Sequence, residues 1–355
     1  MMPPNARFPI RRIGTSTHIS NATKAVRKFQ VMAKNKSSSS KSSKPQVSLT
    51  TKVKAQIITA KAQKILPFEM LAQIKREVEK NGGLSSPESL VDGGAEPEFA
   101  LYASVQQMVS LFAELLLQLP ELRTFRKRRE KLDDDYRPGY PPMSPITGSY
   151  FAMWTQCDLR VGEGGETMAS IFAEIGGLFG FGADYLALAK TLADSRMGVY
   201  EHCGVNNGKV NLRELVTDKE ISFIGSSGYV GSKGELWWVR AVPPPFAFTH
   251  WVGMGTPYVL QTPEQSEWLA LFARNGIRSG EVGMEQRLNQ FLKFGPKPRY
   301  WSEMIFEGYC GHNSGAIFLR GLPDVAESRP HSPDYDPHYE EKNKLKANSN
   351  PPIEG

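Results

Sequence analysis

Aspartate and glutamate are missing from the first 68 residues, which carry fourteen Lys and Arg, so that stretch has a formal charge of +14. The remaining chain has 29 basic and 37 acidic residues and sums to −8. The formal total of +6 over 355 residues is thus the difference between a basic arm and a mildly acidic body. A high isoelectric point is no ground for reading the whole protein as a nucleic-acid binder. Cysteine is scarce: Cys157, Cys203 and Cys310 are odd in number, form no C-x-x-C pair and follow no recognisable cleavable leader. That usage argues against a disulfide framework and for a reducing, cytoplasmic compartment. Long apolar runs are also missing. The best candidate, residues 99–120, is interrupted by Gln106, Gln107, Glu114 and Gln118, whereas a spanning helix needs about 20 predominantly apolar residues. It reads as a core helix, and no membrane partner is expected.

Residues 1–48 read as a disordered basic arm, because the run SSSSKSSK and the lack of an apolar period leave too little burial to offset ordering entropy. An inert leader, a nucleic-acid-binding tail and an import peptide compete for this segment. Met32 offers an alternative start. Residues 323–355, with six prolines and eleven charges, read as a disordered tail.

Between these ends the period changes twice. Residues 49–135 read as helical: Leu66, Met70, Ile74 and Val78 recur on one face until Gly82-Gly83, and a break follows through residues 83–94. The strongest periodic stretch opens at Pro97 and carries Leu101, Val105, Met108, Phe112, Leu115 and Leu119. Six basic side chains between Arg123 and Lys131 could form a phosphate surface. Asp133, Asp134 and Asp135 follow at once, which favours a solvated helix end with internal ion pairs. Residues 136–196 read as a proline- and glycine-rich loop with short helices over 166–176 and 183–193, since four prolines fall between Pro138 and Pro145.

Residues 197–261 carry short β-branched and aromatic runs and the turn Asn206-Asn207-Gly208, which predict four to six strands in a small antiparallel sheet or barrel. In ELWWVRAV both alternating sets are apolar, so the strand is covered on both faces or one tryptophan lies in a recess; Trp237, Trp238, Trp251 and Tyr258 are candidate binding residues. Residues 262–322 read as helical, opening with a capping box at Thr262-Pro263-Glu264-Gln265 and continuing over 284–294 and 300–309. The expected fold class is α+β, with helical front and rear segments around a small antiparallel β unit.

The strings MSPITGSYF, MWTQCD, GETM, SRMGVYEH, VNLRELVT, GYVGSKGELWWVR, TPYVL and LPDVAESRPHS resemble a family of uncharacterised bacterial proteins of planctomycete type. The resemblance covers about residues 123–332 and implies no activity or catalytic residues. A fainter likeness, confined to VYEHCGVNNGKVNLRELVT, is to a small β module found beside cysteine-rich metal-binding tails. That tail is absent here, so its metal does not carry over.

Few residues could carry chemistry. Among the histidines, His202, His250 and His312 fall in the folded part, and His202-Cys203 and Cys310-Gly311-His312 each place a thiol near an imidazole. Convergence of the two would suit tetrahedral zinc, but neighbours on a strand point to opposite faces and the spacing matches no usual zinc pattern. No metal or cofactor is expected. The alternative is a Cys/His-dependent or metal-assisted hydrolase-like enzyme using Cys203 or Cys310 with His202, His250 or His312. No P-loop, H-E-x-x-H or G-x-S-x-G occurs, and the sequence Gly162-Glu163-Gly164-Gly165 fails as a phosphate cradle because Glu163 and Glu166 would oppose phosphate. The leading expectation is a non-enzymatic binding or scaffold protein for an unidentified protein or small molecule. Nucleic-acid association through residues 1–68 is the further alternative.

Overall fold

The computed structural model describes residues 48–62, 85–117, 122–136, 143–161, 164–297, 299–313 and 315–324. The expected arm, tail, alternative start and the helix carrying Leu66 to Val78 lie outside the described residues. The chain has the expected α+β architecture, built as helices in front and behind a closed five-stranded barrel.

The front layer holds α1 (Leu49–Ala62), α2 (Pro87–Asp92), α3 (Pro97–Leu116), α4 (Arg123–Tyr136), α5 (Met143–Cys157), α6 (Met168–Ile175) and α7 (Ala183–Asp194). Proline at the first position and Glu98 in the first turn suit the start of α3. Its buried stripe runs through Tyr102, Val105, Val109, Phe112 and Leu116, with Leu101 and Met108 half-buried at the margin. Phe112 meets Phe172 of α6 and Phe179 edge to face, at centroid distances of 5.0 and 5.3 Å. Helix α6 begins in a reciprocal cap: Thr167 Oγ1 accepts from Ser170 N at 3.2 Å, and Thr167 N donates to Ser170 Oγ at 2.8 Å.

Two helices replace expected breaks. In α2, Ser86 accepts from Ser89 N at 3.1 Å and Pro87 occupies the first turn. In α5, Pro145 lies within the first turn, where a missing N–H costs no helical bond. Of the four prolines only Pro145 lies among the described residues, and it falls in a helix start.

The barrel strands are β1 (Met197–Asn206), β2 (Lys209–Glu214), β3 (Glu220–Gly225), β4 (Leu236–Val242) and β5 (Trp251–Gly253). The ten residues of β1 serve two neighbours: Met197 to Glu201 pair antiparallel with Arg240 to Leu236 of β4, and Tyr200 to Asn206 pair antiparallel with Glu214 to Lys209 of β2. A bulge between His202 and Gly204 bends the strand and lets it close the barrel. Strands β2 and β3 form a hairpin, β3 runs parallel to β5, and β5 returns antiparallel to β4. The closed order β1-β2-β3-β5-β4, with a shared first strand and a parallel closing pair, is that of the OB-type Greek-key barrel. The expected small antiparallel unit is present, with one parallel pair in its wall.

Beyond β4 the sheet continues through β6 (Tyr258–Thr262), β8 (Ile317–Arg320) and β7 (Tyr309–His312), with β6 and β8 parallel. The rear helices are α8 (Gln265–Arg274), α9 (Met284–Phe294) and α10 (Tyr300–Gly308). The expected capping box at Thr262 is corrected: Thr262 belongs to β6, its carbonyl accepts from Gly321 N at 2.9 Å, and α8 starts later behind Glu264, which makes no side-chain cap. Residues 262–322 are likewise not wholly helical, since they contain β7 and β8.

Both faces of β4 are buried. Trp237, Val239 and Ala241 fill the barrel with Tyr200, Leu212, Ile221 and Phe223. Leu236 and Trp238 join the rear helices, where Trp238 lies 5.2 Å from Trp301 and 5.1 Å from Tyr258 between ring centroids. Val242 joins the front core. Of the two readings of ELWWVRAV, the structure shows the covered strand. No helix among the described residues is long and apolar enough to cross a membrane.

Candidate functional site

The β4–β5 loop, residues 243–250, leaves the barrel through Pro243-Pro244-Pro245 and presents Phe246 and Phe248, 57% and 38% exposed. Proline restricts the start of the loop, and Phe246 adopts φ +47°, a conformation bulky residues rarely hold. The loop is tied down at both ends by α3: Tyr102 Oη donates to Pro243 O at 2.8 Å, and His250 Nδ1 lies 3.2 Å from Glu98 Oε1. Trp251, half-buried, follows with Lys219 Nζ 4.3 Å above its ring. At the start of β2, Lys209 pairs with Glu96 at 3.0 Å, so Glu96, just before α3, and Glu98 in its first turn link the β1–β2 turn to the β4–β5 loop.

Two nearby cations carry acidic partners, and Lys219 lies against the Trp251 ring. Arg213 pairs with Glu201 across the β1–β2 ladder and lies 3.8 Å from Asp218. Lys209 has Glu96. The exposed part of the loop is aromatic, which suits a protein or small-molecule contact better than a phosphate backbone.

His202 is buried at 1% exposure, and both ring nitrogens are engaged. Gly204 N donates to Nδ1 at 3.1 Å, which leaves Nε2 to donate to Val230 O at 2.8 Å. The ring also lies edge-on to Trp237 at 5.3 Å. It clamps the β3–β4 loop to the barrel wall. Cys203, in the bulge, directs its Sγ to Glu201 O at 3.7 Å. On β7, Cys310 Sγ donates to Gln261 Oε1 and Phe318 O at 3.3 Å each, and burial raises its thiol pKa, against nucleophilic use. His312 Nδ1 lies 2.7 Å from Tyr309 Oη. The two Cys/His segments thus sit on β1 and β7, separated in the sheet by β4, β6 and β8. Among the described residues no group of three or more His, Cys, Asp or Glu is placed to hold a metal ion.

Of the aromatic candidates, Trp237 and Trp238 are fully buried and Tyr258 is 2% exposed; they pack the core and line no open groove. Trp237 Nε1 donates to Glu235 Oε2 at 2.8 Å, and Glu235 also accepts from Tyr229 Oη at 3.1 Å. Burial and the Glu235 charge push the Tyr229 phenol up to about 12. Trp251 alone of the four reaches the surface.

A second cluster lies at the junction of all three layers. Arg240 of β4 and Asp158, just after α5, are each 1% exposed and form an ion pair through Nη2 and Oδ2. Arg240 Nη1 donates to Ser195 O at 2.8 Å and Ser195 Oγ at 3.1 Å. Lys293 of α9 approaches Asp158 Oδ1 at 3.6 Å and donates to Ala193 O. Burial raises the Asp158 carboxyl pKa above its ordinary value, and the charges of Arg240 and Lys293 offset that only in part. Burial holds the Lys293 ammonium below its ordinary value. Burial also pushes the adjoining Cys157 thiol up to about 11, so it is an inert core group.

Sequence reasoning passed over Asp158, Arg240, Lys293, Phe246 and Phe248 as site residues. One signal was available: a charge in the middle of LWWVRAV, an otherwise apolar strand, requires a buried counter-charge. Its partner lies 82 residues away in sequence. No family model, curated protein or solved structure matches this chain, so its likeness to an OB-type barrel rests on strand order alone.

Proposed function

We propose that this chain is a non-enzymatic binding protein that uses the β4–β5 loop of its barrel to hold a segment of a protein partner. The observation that carries the reading is the pair of exposed phenylalanines, Phe246 and Phe248, on a loop fixed at both ends by α3. Exposed aromatics on a pre-organised loop supply contact area at low entropic cost. Loops of such barrels also carry ligands in other proteins, which is an argument from fold analogy. The engaged ring nitrogens of His202 and the raised thiol of Cys310 weigh against the hydrolase-like alternative. The three unpaired cysteines and the sequence resemblance support a bacterial, cytoplasmic setting.

The test is selection of a phage-displayed peptide library on the full chain, followed by binding of the enriched peptides to the Phe246→Ser/Phe248→Ser variant. The expected result is enrichment of peptides whose binding falls at least tenfold in a variant of unchanged melting temperature. Failure to enrich, or equal binding to both proteins, overturns the reading. The +14 charge of residues 1–68 favours a second activity, nucleic-acid association through the arm. Binding of single-stranded DNA that weakens with salt and vanishes on deletion of residues 1–45 supports it, because phosphate contacts release counterions. Binding that survives the deletion removes it.

A further inference from the structure

Helix α1 is fastened to the body through its first turn. Of its described side chains, Thr50 and Val53 are buried, at 2% and 0% exposure, while Ile58 farther along is 49% exposed. A carboxylate 116 residues away closes the end of the helix: Glu166 Oε1 accepts from Thr50 N at 3.1 Å and from Thr50 Oγ1 at 3.2 Å. Ser48 Oγ accepts from Thr51 N at 3.1 Å, so one cap comes from the adjoining chain and one from the body. Lys54 adds an ion pair with Glu174 at 4.0 Å, open to solvent. A helix of 14 residues is marginal in water on its own, so α1 stays helical by keeping its seat.

The glycine-rich stretch that fails as a phosphate cradle is what presents Glu166. Val161 N donates to Glu166 O at 2.6 Å in an isolated bridge, which closes residues 161–166 into a turn with Gly165 at φ +75°. A Cβ at Gly164 would lie 2.3 Å from Glu166 Oε2 and 2.7 Å from its Cδ, so the carboxylate occupies space that glycine leaves open. Burial raises the Glu166 pKa, but hydrogen bonds from the backbone and from Thr50 outweigh it and hold the group below the ordinary carboxylate value. The anion faces the positive end of α1. That helix belongs to the first 68 residues, the +14 stretch without an acidic side chain of its own.

We propose that α1 is a releasable strap whose docking on Glu166 restrains the binding of single-stranded nucleic acid by the basic segment; this rests on the nucleic-acid reading of the arm. While α1 is docked, Lys54 faces Glu174, and the carboxylates of Glu166 and Glu174 lie well within a Debye length of about 8 Å, where they oppose an approaching phosphate backbone. Once α1 is released, residues 49–68 add four lysines to the arm with no carboxylate facing them. A ligand shifts such an equilibrium only through its differential affinity for the two states, and here the difference is electrostatic. Docking and nucleic-acid binding therefore weaken each other.

The experiment uses the full chain, with amide exchange of residues 49–62 read by mass spectrometry and binding of a fluorescein-labelled oligothymidylate read by anisotropy at fixed salt. Glu166→Ala removes the cap supplied by the body, and Val53→Ala loosens the seat without changing net charge. Both should speed exchange across residues 49–62, Glu166→Ala by about threefold to thirtyfold, the range a lost cap implies, while residues 97–116 keep their protection. Each variant should bind the oligothymidylate more tightly by the factor by which its opening rises, since apparent affinity follows the fraction in the competent state. Unchanged exchange in Glu166→Ala overturns the proposal, because Glu166 then does not hold the strap. A gain of affinity confined to Glu166→Ala is a charge effect and overturns it as well. Faster exchange with unaltered affinity overturns the restraint while the arm reading stands. Absence of oligothymidylate binding in wild type and both variants removes the arm reading and this proposal with it.

Discussion

Replacing Asp158 with Asn removes the one carboxylate that faces two buried cations while leaving size and shape nearly unchanged. Asp158 and Arg240 are each 1% exposed, so solvent cannot make up the loss, and Lys293 is only slightly more accessible. Removing one partner of a buried ion pair strands the other and costs about 3–5 kcal/mol, against a total stability of about 5–15 kcal/mol for a folded chain. Asp158→Asn should therefore lower the urea midpoint by at least a fifth of its wild-type value with the slope unchanged. Lys293→Met in the same background lowers the number of stranded cations from two to one. The double variant should accordingly recover part of the loss, and a double-mutant cycle should return a coupling of about 1–3 kcal/mol. Equilibrium urea unfolding followed by tryptophan fluorescence reads all four proteins, because Trp238 and Trp301 lie in the neighbouring core. A cost below about 1 kcal/mol for Asp158→Asn, or strict additivity in the cycle, would show that the cluster is neither dry nor coupled.

His202→Ala strands Val230 O and Gly204 N–H and should cost about 1–3 kcal/mol. Amide exchange should accelerate first in residues 226–235, and uniform acceleration across the barrel would refute the clamp. The Lys293 ammonium has a folded pKa below its unfolded value of about 10.4. Between those values the unfolded chain holds more protons, so stability should rise with pH and reach its full gain near the unfolded value. From pH 7 to about 9.5, where tyrosines of ordinary pKa are still largely protonated, wild type should gain stability relative to Lys293→Met; parallel curves would contradict the assignment.

The legible parts of the fold were those whose information is local. Helix α9 shows its boundaries through an amphipathic period and flanking glycines, and α3 through a proline start and an apolar stripe. The barrel strands showed through β-branched alternation and an Asn-Gly turn. Strands β7 and β8 did not, because YCGH and IFLR are four residues long and find a ladder only through β6, some fifty residues earlier. Parallel pairing of β3 with β5 is equally silent, since it depends on closure and not on composition. The surroundings of the candidate chemistry were illegible for a related reason. His202 and Cys310 are chemically capable in isolation, and their partners, Val230 O for the one and Gln261 Oε1 and Phe318 O for the other, come from other parts of the fold. The tryptophans drew attention by type, while the exposed phenylalanines of PPPFAF were overlooked although three consecutive prolines made a protruding loop the natural expectation.

Closure of the barrel also governs how this chain can meet copies of itself. Each of the five wall strands finds a neighbour on either side, and the extension beyond β4 ends at β7, four residues long and interrupted by a bulge between Tyr309 and Gly311. A strand so short offers an incoming chain only about two main-chain hydrogen bonds, too few to template a growing sheet. A protein with this much aromatic residue in its interior would ordinarily risk edge-to-edge aggregation whenever it is concentrated. Among the described residues the terminal strand is too short to serve as a template, so pairing at the sheet edge is disfavoured.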